Sequence, residues 1–172
     1  RARAGAHARL RAREPAKCGI LRRMAGVTLR VLGGYMAEQA GRPLFFESAK
    51  TRALLAYVLI ERGRRHSRAK LCGLLWPDMA EKSARNNLSQ ALGNIRDVLG
   101  LAQDGAPLLR IAPDSVMLAP DADVLCDVHA FLDVLDDCAQ HRHRAWHLCS
   151  RCAERLSSAA ASYAGDFLSD TA

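Results

Sequence analysis

The sequence predicts an α+β fold in which a run of helices lies between two short β-hairpins. Apolar and polar residues alternate in "VTLRVLGG" (27–34), a spacing typical of half-buried strands. Between residues 47 and 99 the apolar residues follow helical spacing instead. The segment "LLRIAPDSVML" (108–118) then places a Pro-Asp-Ser turn between two strand-like runs, which predicts a second hairpin.

Charge is distributed unevenly along the 172 residues. Residues 47–100 carry ten Lys/Arg and five Asp/Glu, whereas residues 101–172 carry five and eleven. This asymmetry favours a polyanionic partner for the middle of the chain. Residues 1–24 hold eight Lys/Arg and one acid, and we interpret them as a disordered basic extension. The alternatives are a basic arm that contacts DNA and sequence upstream of a true start at Met24.

Several features indicate a cytoplasmic protein without a membrane partner. No run of about 18 apolar residues exists, and the start lacks the apolar core of a signal peptide. Six cysteines without an export signal predict reduced thiols. The chain begins with Arg and ends at "LSDTA", so we expect it to be part of a longer protein.

Three helices are predicted in the middle of the chain. "GRPLFF" (41–46) belongs to the first small sheet, and the first helix follows over residues 47–63. The second covers residues 67–76, with Ser67 as N-cap. Its expected inner face is formed by Leu71, Leu74 and Leu75. A capping box of Asp78 and Glu81 predicts that the third helix begins at about residue 79 and runs to Leu99.

The third helix, "SARNNLSQALGNIRDVLG" (83–100), carries an unusual polar face. With 100° per residue, the apolar side chains within about 40° of Leu88 form the predicted buried stripe. They are Ala84, Leu92, Ile95 and Leu99. Asn86 and Gln90 fall opposite, although exposed helix faces are usually rich in Glu and Lys. Asn and Gln match the donor and acceptor edge of adenine in the major groove.

The context of this helix is that of a helix-turn-helix. A short helix, a turn with Pro and a longer helix with a polar outer face describe that motif. A sheet before it and a hairpin after it describe the winged form. The alternative is an ordinary amphipathic helix with an unusual polar face. Gly93 on the outer face either permits close approach of a backbone or is a tolerated defect.

Basic residues cluster around the turn between the first two helices. They are Arg62, Arg64, Arg65, Arg68 and Lys70. Phosphate contact is one interpretation, and a solvated basic loop is the other. Trp76 is predicted to anchor the core at a helix end.

Two further helices are predicted in the acidic half, one from Asp127 and one over residues 145–162. Residues 138–152, where these two helices meet, contain Cys138, His141, His143, His147, Cys149 and Cys152. Zinc binding is one interpretation of this cluster; thiols packed between helices are the favoured alternative, so no metal site is assigned. A redox Cys-x-x-C would require a preceding strand, which is not predicted.

Enzyme motifs are absent from the sequence. It has no Gly-rich phosphate loop, no Gly-x-Ser-x-Gly elbow and no His-Glu-x-x-His. We therefore expect no catalytic residues and no cofactor.

Several motifs in order resemble the bacterial antibiotic regulatory proteins (SARP family). They are "LRVLGG", "GRPL", "LLAYV", Ser67–Arg68, "LLWPD" (74–78) and "ARNNLSQAL…IRDVLG" (84–100). The resemblance implies an OmpR/PhoB-type winged helix-turn-helix over residues 25–121. "ADVLCDVHAFLDVL" and the Tyr163–Leu168 element are similar to the start of that family's bacterial transcriptional activator domain. Residues 122–172 would then begin an array of TPR-like (tetratricopeptide-like) helices.

The same resemblance implies a transcriptional activator of double-stranded promoter repeats, bound as a homodimer that contacts RNA polymerase. Carried over by position, the recognition-helix contacts are Arg85, Asn86, Asn87, Gln90 and Asn94. Arg64, Arg65, Arg68 and Arg96 are expected at phosphates. The wing turn lacks Lys and Arg, and Arg110 is the only base nearby. An interaction scaffold whose winged helix no longer binds DNA is the alternative function.

Overall fold

The chain has a mixed α+β fold in a computed structural model that describes residues 26–100, 107–142 and 149–169. The predicted extension, residues 1–24, lies outside the described residues. The strands are β1 (Val27–Arg30), β2 (Met36–Gln39), β3 (Arg42–Pro43), β4 (His66–Ser67), β5 (Leu109–Ile111), β6 (Ser115–Leu118) and β7 (Val124–Cys126). The helices are α1 (Ala49–Ile60), α2 (Arg68–Leu75), α3 (Glu81–Leu99), α4 (Asp127–Gln140) and α5 (Ser150–Ala161).

The first sheet has the strand order β3-β2-β1-β7. A small antiparallel sheet at this end of the chain is confirmed, but its expected pairing is wrong. Strand β1 pairs with β2, which lies in the expected connection, and Arg42–Pro43 pair with β2 instead of β1. Val27 and Leu29 of β1, and Val31 directly after it, are buried, as the period of two requires. Strand β7 pairs parallel with β1 on the other side, which the sequence did not predict.

Asp127 ties the start of α4 to the end of the first strand. Its Oδ2 accepts hydrogen bonds from the backbone N–H groups of Val31 at 2.8 Å and Leu32 at 2.9 Å. Its Oδ1 accepts a third from Val128 at 2.8 Å. Bonds to a charged acceptor are stronger than neutral ones, so this carboxylate fixes α4 against the first sheet.

Helices α1 and α2 both begin at a serine. Ser48 accepts a hydrogen bond from the N–H of Thr51, and Ser67 from that of Lys70, which confirms the predicted N-cap at Ser67. Helix α1 is shorter than the predicted 47–63. The prediction that Leu74 lies on the inner face of α2 is wrong, because this side chain is 51% exposed. The buried residues Leu71, Cys72 and Leu75 define a face whose centre lies about 110° from Leu74.

Helix α3 begins at Glu81, two residues later than predicted, and its N-cap is Ala80 without a side-chain hydrogen bond. The predicted capping box is wrong because Asp78 lies inside a turn. In that turn the N–H of Met79 donates to the carbonyl of Trp76 at 3.3 Å. The predicted stripe around Leu88 is confirmed, and Ala91 is buried with it.

The second sheet has the order β4-β6-β5 and contains the predicted second hairpin. Strand β4, which was not predicted, joins this hairpin to the helices, because His66 pairs with Val116. The ring of His66 is buried and lies 5.0 Å from that of Tyr57. Burial, with the nearby Lys70 charge, lowers the pKa of His66, which favours the neutral ring.

Helices α4 and α5 pack on each other and are anchored to the first part of the chain by polar contacts. His129 Nε2 donates to the carbonyl of Ile60 at 2.9 Å. The N–H of Leu168 donates to Val31 at 3.0 Å, and that of Ala164 to Leu32 at 3.0 Å. Residues 145–148 of the predicted fifth helix lie outside the described residues. Among the residues described, no helix combines the length and the hydropathy that a membrane span requires.

Candidate nucleic-acid interface

The outer face of α3 presents two amide side chains to solvent. Asn86 and Gln90, four residues apart, are both exposed, whereas Leu88 between them is fully buried. Within the part of the chain that is described, neither amide hydrogen bonds to another side chain. Helix α3 contacts α1 and α2 through its apolar stripe, so this packing turns both amides outward. An exposed amide pair at this spacing can form bidentate bonds to base edges.

The other two asparagines of the predicted set are less accessible. Asn87 is half-buried, and its Nδ2 lies 3.2 Å from Met79 Sδ. Asn94 is half-buried too, and its Oδ1 is buried without a hydrogen-bond partner among the described residues. The exposed amides are therefore Asn86 and Gln90, with Asn87 and Asn94 at the edge of the face.

Two arginines on the shoulder of α3 form exposed ion pairs. Arg85 contacts Glu81 at 2.6 Å, and Arg96 Nε lies 3.9 Å from Asp97. Exposed ion pairs of this kind contribute about 0–1 kcal/mol. Either guanidinium can therefore exchange its carboxylate for a phosphate at low cost.

Gly93 also lies on this outer side of α3. A Cβ built onto Gly93 would meet no atom within 4 Å. Nothing in the described structure requires glycine here. No close contact therefore offsets the helix stability that glycine loses relative to alanine.

Arg68 lies where the wing hairpin, α2 and α3 meet. Its N–H donates to the carbonyl of Asp114 in the wing turn at 2.9 Å. Its guanidinium donates to Ser89 Oγ at 2.6 Å, and that hydroxyl donates to the carbonyl of Arg85 at 2.9 Å. The start of α2 and the outer face of α3 therefore form one continuous polar surface, which we call the α3 face. It comprises Arg68, Arg85, Asn86, Ser89 and Gln90.

The remaining basic residues of this loop differ in their partners. Arg64 pairs with Glu61 at 2.8 Å, and Arg62 pairs with Asp133 of α4 at 3.2 Å. Arg65 is exposed and has no ion-pair partner within the described ranges. Arg64 and Arg65 are therefore solvent-facing cations in the loop that precedes Arg68.

The wing is weakly charged. Its turn, residues 112–114, is closed by a hydrogen bond from Ala112 to the carbonyl of Ser115 at 2.8 Å. Arg110 on β5 lies 3.6 Å from Asp121, and both side chains are exposed, so this ion pair is as weak as those of Arg85 and Arg96. The wing turn itself carries no Lys or Arg, so a contact of the turn with a minor groove would lack a cation.

Trp76 lies half-buried at the end of α2 and packs against the hydrophobic core. The prediction that it anchors the core is confirmed.

A second group of side chains comes together where α4 ends and α5 begins. His141 Nδ1 lies 3.1 Å from Cys152 Sγ and 3.7 Å from Cys149 Sγ. Hydrogen bonding, above all from the Cys152 backbone, lowers the pKa of Cys149, whereas burial and two neighbouring thiols raise the pKa of Cys152 to about 11. One of those thiols is Cys138. His143 and His147 lie outside the described residues.

One feature of this cluster was not predicted from the sequence. Cys138-x-x-His141 has the same spacing as Cys149-x-x-Cys152, so the two pairs are equivalent in spacing. Zinc sites use His as well as Cys, so a pair of ligands three positions apart that includes one His is the signal for this feature.

The fold is of the winged helix-turn-helix type: a small sheet, three helices and a hairpin joined to them by a short strand. No family model and no curated protein sequence matches the chain. Among solved structures it is similar to "Mycobacterium tuberculosis EmbR in complex with low affinity phosphopeptide", with 25% identity and a TM-score of 0.64. The match covers 84% of this chain and 38% of that one, so this chain spans about two fifths of its neighbour. The likeness supports a SARP-type regulator fold.

Proposed function

We propose that this chain is a sequence-specific DNA-binding transcription regulator that activates at promoter repeats. The observation that carries the proposal is the outward pair Asn86 and Gln90 on a helix held by a buried stripe. In this proposal α3 lies in the major groove, and the two amides contact adenine edges. Asn87 and Asn94 flank them at the edge of the groove.

Phosphate contacts come from the cations around the α3 face. Arg85 and Arg96 leave their weak carboxylate pairs, and Arg68 reaches the backbone from the start of α2. Arg64 and Arg65 extend this contact along the duplex. Such contacts position the protein without recognising sequence, and they make affinity depend steeply on salt.

Residues 122–172 are proposed to begin a TPR-like activator domain. Their helix pair α4–α5 follows the winged helix directly, and the SARP resemblance supplies the expected partners. We propose RNA polymerase as the partner of the activator and a homodimer as the form bound to direct repeats, in the cytoplasm. No catalytic role is proposed for any residue.

A second candidate is an interaction scaffold whose winged helix no longer binds DNA. It is favoured by the wing turn, which carries no Lys or Arg. The acid-rich residues 101–172 also disfavour extended contact with a polyanion.

Selection from random duplexes distinguishes the two candidates. The regulator enriches a repeated motif, and its affinity for that duplex falls steeply between low and moderate salt. The scaffold enriches none. A matched selection with an Arg68→Ala variant should recover the same motif at lower affinity, because Arg68 is assigned to phosphate. Loss of the motif in that variant would contradict this assignment.

A further inference from the structure

The Cys/His cluster at the junction of α4 and α5 is not used by the proposed function. It consists of Cys138, His141, Cys149 and Cys152, which come from two separate elements. Cys138 is buried in the last turn of α4, and His141 follows that helix. Cys149 precedes α5, and Cys152 is buried in its first turn.

The spacing of these residues forms two clamps. Cys138-x-x-His141 and Cys149-x-x-Cys152 each place two ligand-bearing side chains three positions apart. Structural zinc sites are built from such pairs, with Cys thiolates and His nitrogens in tetrahedral sets of four.

The distances between the donor atoms suit one ion. The ligand atoms of His141, Cys149 and Cys152 all lie within 4.8 Å of one another. Two of these distances are 3.1 Å and 3.7 Å, both from His141 Nδ1 to a thiol. Around a tetrahedral zinc ion, a nitrogen–sulfur pair is separated by about 3.6 Å and a sulfur pair by about 3.8 Å. The Cys138 thiol lies outside this group of three but neighbours that of Cys152, so it is the candidate for the fourth ligand.

We propose that Cys138, His141, Cys149 and Cys152 bind one zinc ion. Sulfur and nitrogen ligands in tetrahedral arrangement favour zinc over the oxygen-preferring magnesium and calcium ions. Each of the three thiols releases its proton to solvent when it coordinates the ion, and His141 coordinates through neutral Nδ1.

The surroundings suit the charge of this site. Three thiolates and a divalent ion leave one net negative charge. An open cavity of about 310 Å³ beside the cluster is lined by Arg151 and Arg155, with Asp137 offsetting Arg155. The cavity gives the ion a route from solvent, and Arg151 balances the excess charge.

Zinc at this place has a structural role. Helices α4 and α5 bury few side chains of their own, and two of those are ligands, Cys138 and Cys152. The ion joins the end of one helix to the start of the next, so it replaces part of the hydrophobic packing that the pair lacks.

Metal content tests the proposal on the whole chain. The protein is produced in zinc-supplemented cells and purified in reducing buffer without chelator, and zinc is measured by mass spectrometry. We expect about one zinc ion per chain in the wild type and almost none in a Cys149→Ser/Cys152→Ser variant. Cys72→Ala, which removes a buried cysteine of α2, serves as the matched control and retains the ion.

Cobalt substitution tests the ligand set. The cobalt form should show tetrahedral absorption bands with thiolate-to-metal charge transfer, and Cys138→Ser should lower the charge-transfer intensity by about one third, from three thiolates to two. Adding zinc to chelator-treated wild type should raise the thermal midpoint. Wild-type protein without zinc would overturn the proposal whether or not the variants fold. Full zinc retention in the double variant would overturn it as well.

Discussion

Helix α3 and the α4–α5 pair have the same amphipathic spacing but differ in how much of their apolar surface is covered. Helix α3 buries six residues against α1, α2 and the wing, whereas α4 buries only His129 and Cys138. Leu132 and Leu135 of α4 remain 46% and 39% exposed. An open groove of about 520 Å³ between α4 and α5 is lined by Phe131 and other side chains. Hydrophobic packing therefore holds α3, whereas α4 and α5 depend more on polar anchors such as Asp127 and His129.

The largest expected effect comes from removing apolar volume from α3. Leu88→Ala should lower the free energy of unfolding by about 2–5 kcal/mol, because Leu88 is fully buried at the centre of the stripe. Leu132→Ala on α4 is the control, with an expected loss below about 1 kcal/mol. Urea denaturation measures both. Equal losses would contradict the difference between the two regions.

The next largest effect concerns the polar anchor of α4. Asp127→Ala should cost about 2–4 kcal/mol, because it removes a charged acceptor and leaves the N–H groups of Val31 and Leu32 without a partner. Asp133→Ala, which removes the exposed pair with Arg62, should cost about 0–1 kcal/mol. The same denaturation assay compares them. A loss at Asp127 no larger than that at Asp133 would show that α4 is held by other contacts.

The smallest expected change in the free energy of unfolding comes from Gly93, which lies beside the α3 face. Gly93→Ala should stabilise the protein by about 1 kcal/mol, since a Cβ has open space there and glycine weakens helices. Gly73→Ala in α2, also open, should stabilise it similarly. Thermal unfolding measures the gain. DNA affinity of the two variants is then compared in an anisotropy titration. If a DNA backbone approaches α3 closely at Gly93, Gly93→Ala should weaken DNA binding and Gly73→Ala should not. Equal DNA affinities of the two variants would mean that Gly93 is a tolerated defect.

The sequence predicted those elements whose apolar and polar residues follow a helical or strand spacing within the element itself. The stripe around Leu88, the wing hairpin and the cap at Ser67 follow from spacing and side-chain chemistry within a few residues. Strand β7 could not be predicted in this way, because three residues carry no period and its pairing with β1 joins distant segments. The same holds for β4, whose two residues become a strand only beside β6.

The candidate interface shows the same limit. Helical projection predicted that Asn86 and Gln90 face outward, and both are exposed. It did not predict that Asn94 Oδ1 is buried, because that depends on neighbouring elements. Nor could it place Arg68 between the wing turn and Ser89, a contact made by residues far apart in sequence.

The most direct test of DNA recognition by the α3 face is the ratio of affinities for a selected and a scrambled duplex, measured by anisotropy at one fixed salt concentration. Asn86→Ala and Gln90→Ala should each lower this ratio by about 1–3 kcal/mol while affinity for the scrambled duplex stays unchanged. Gln140→Ala, an exposed amide on α4, should leave the ratio unchanged. A ratio unaffected by either α3 substitution, or an equal loss on both duplexes, would contradict base recognition by these two residues.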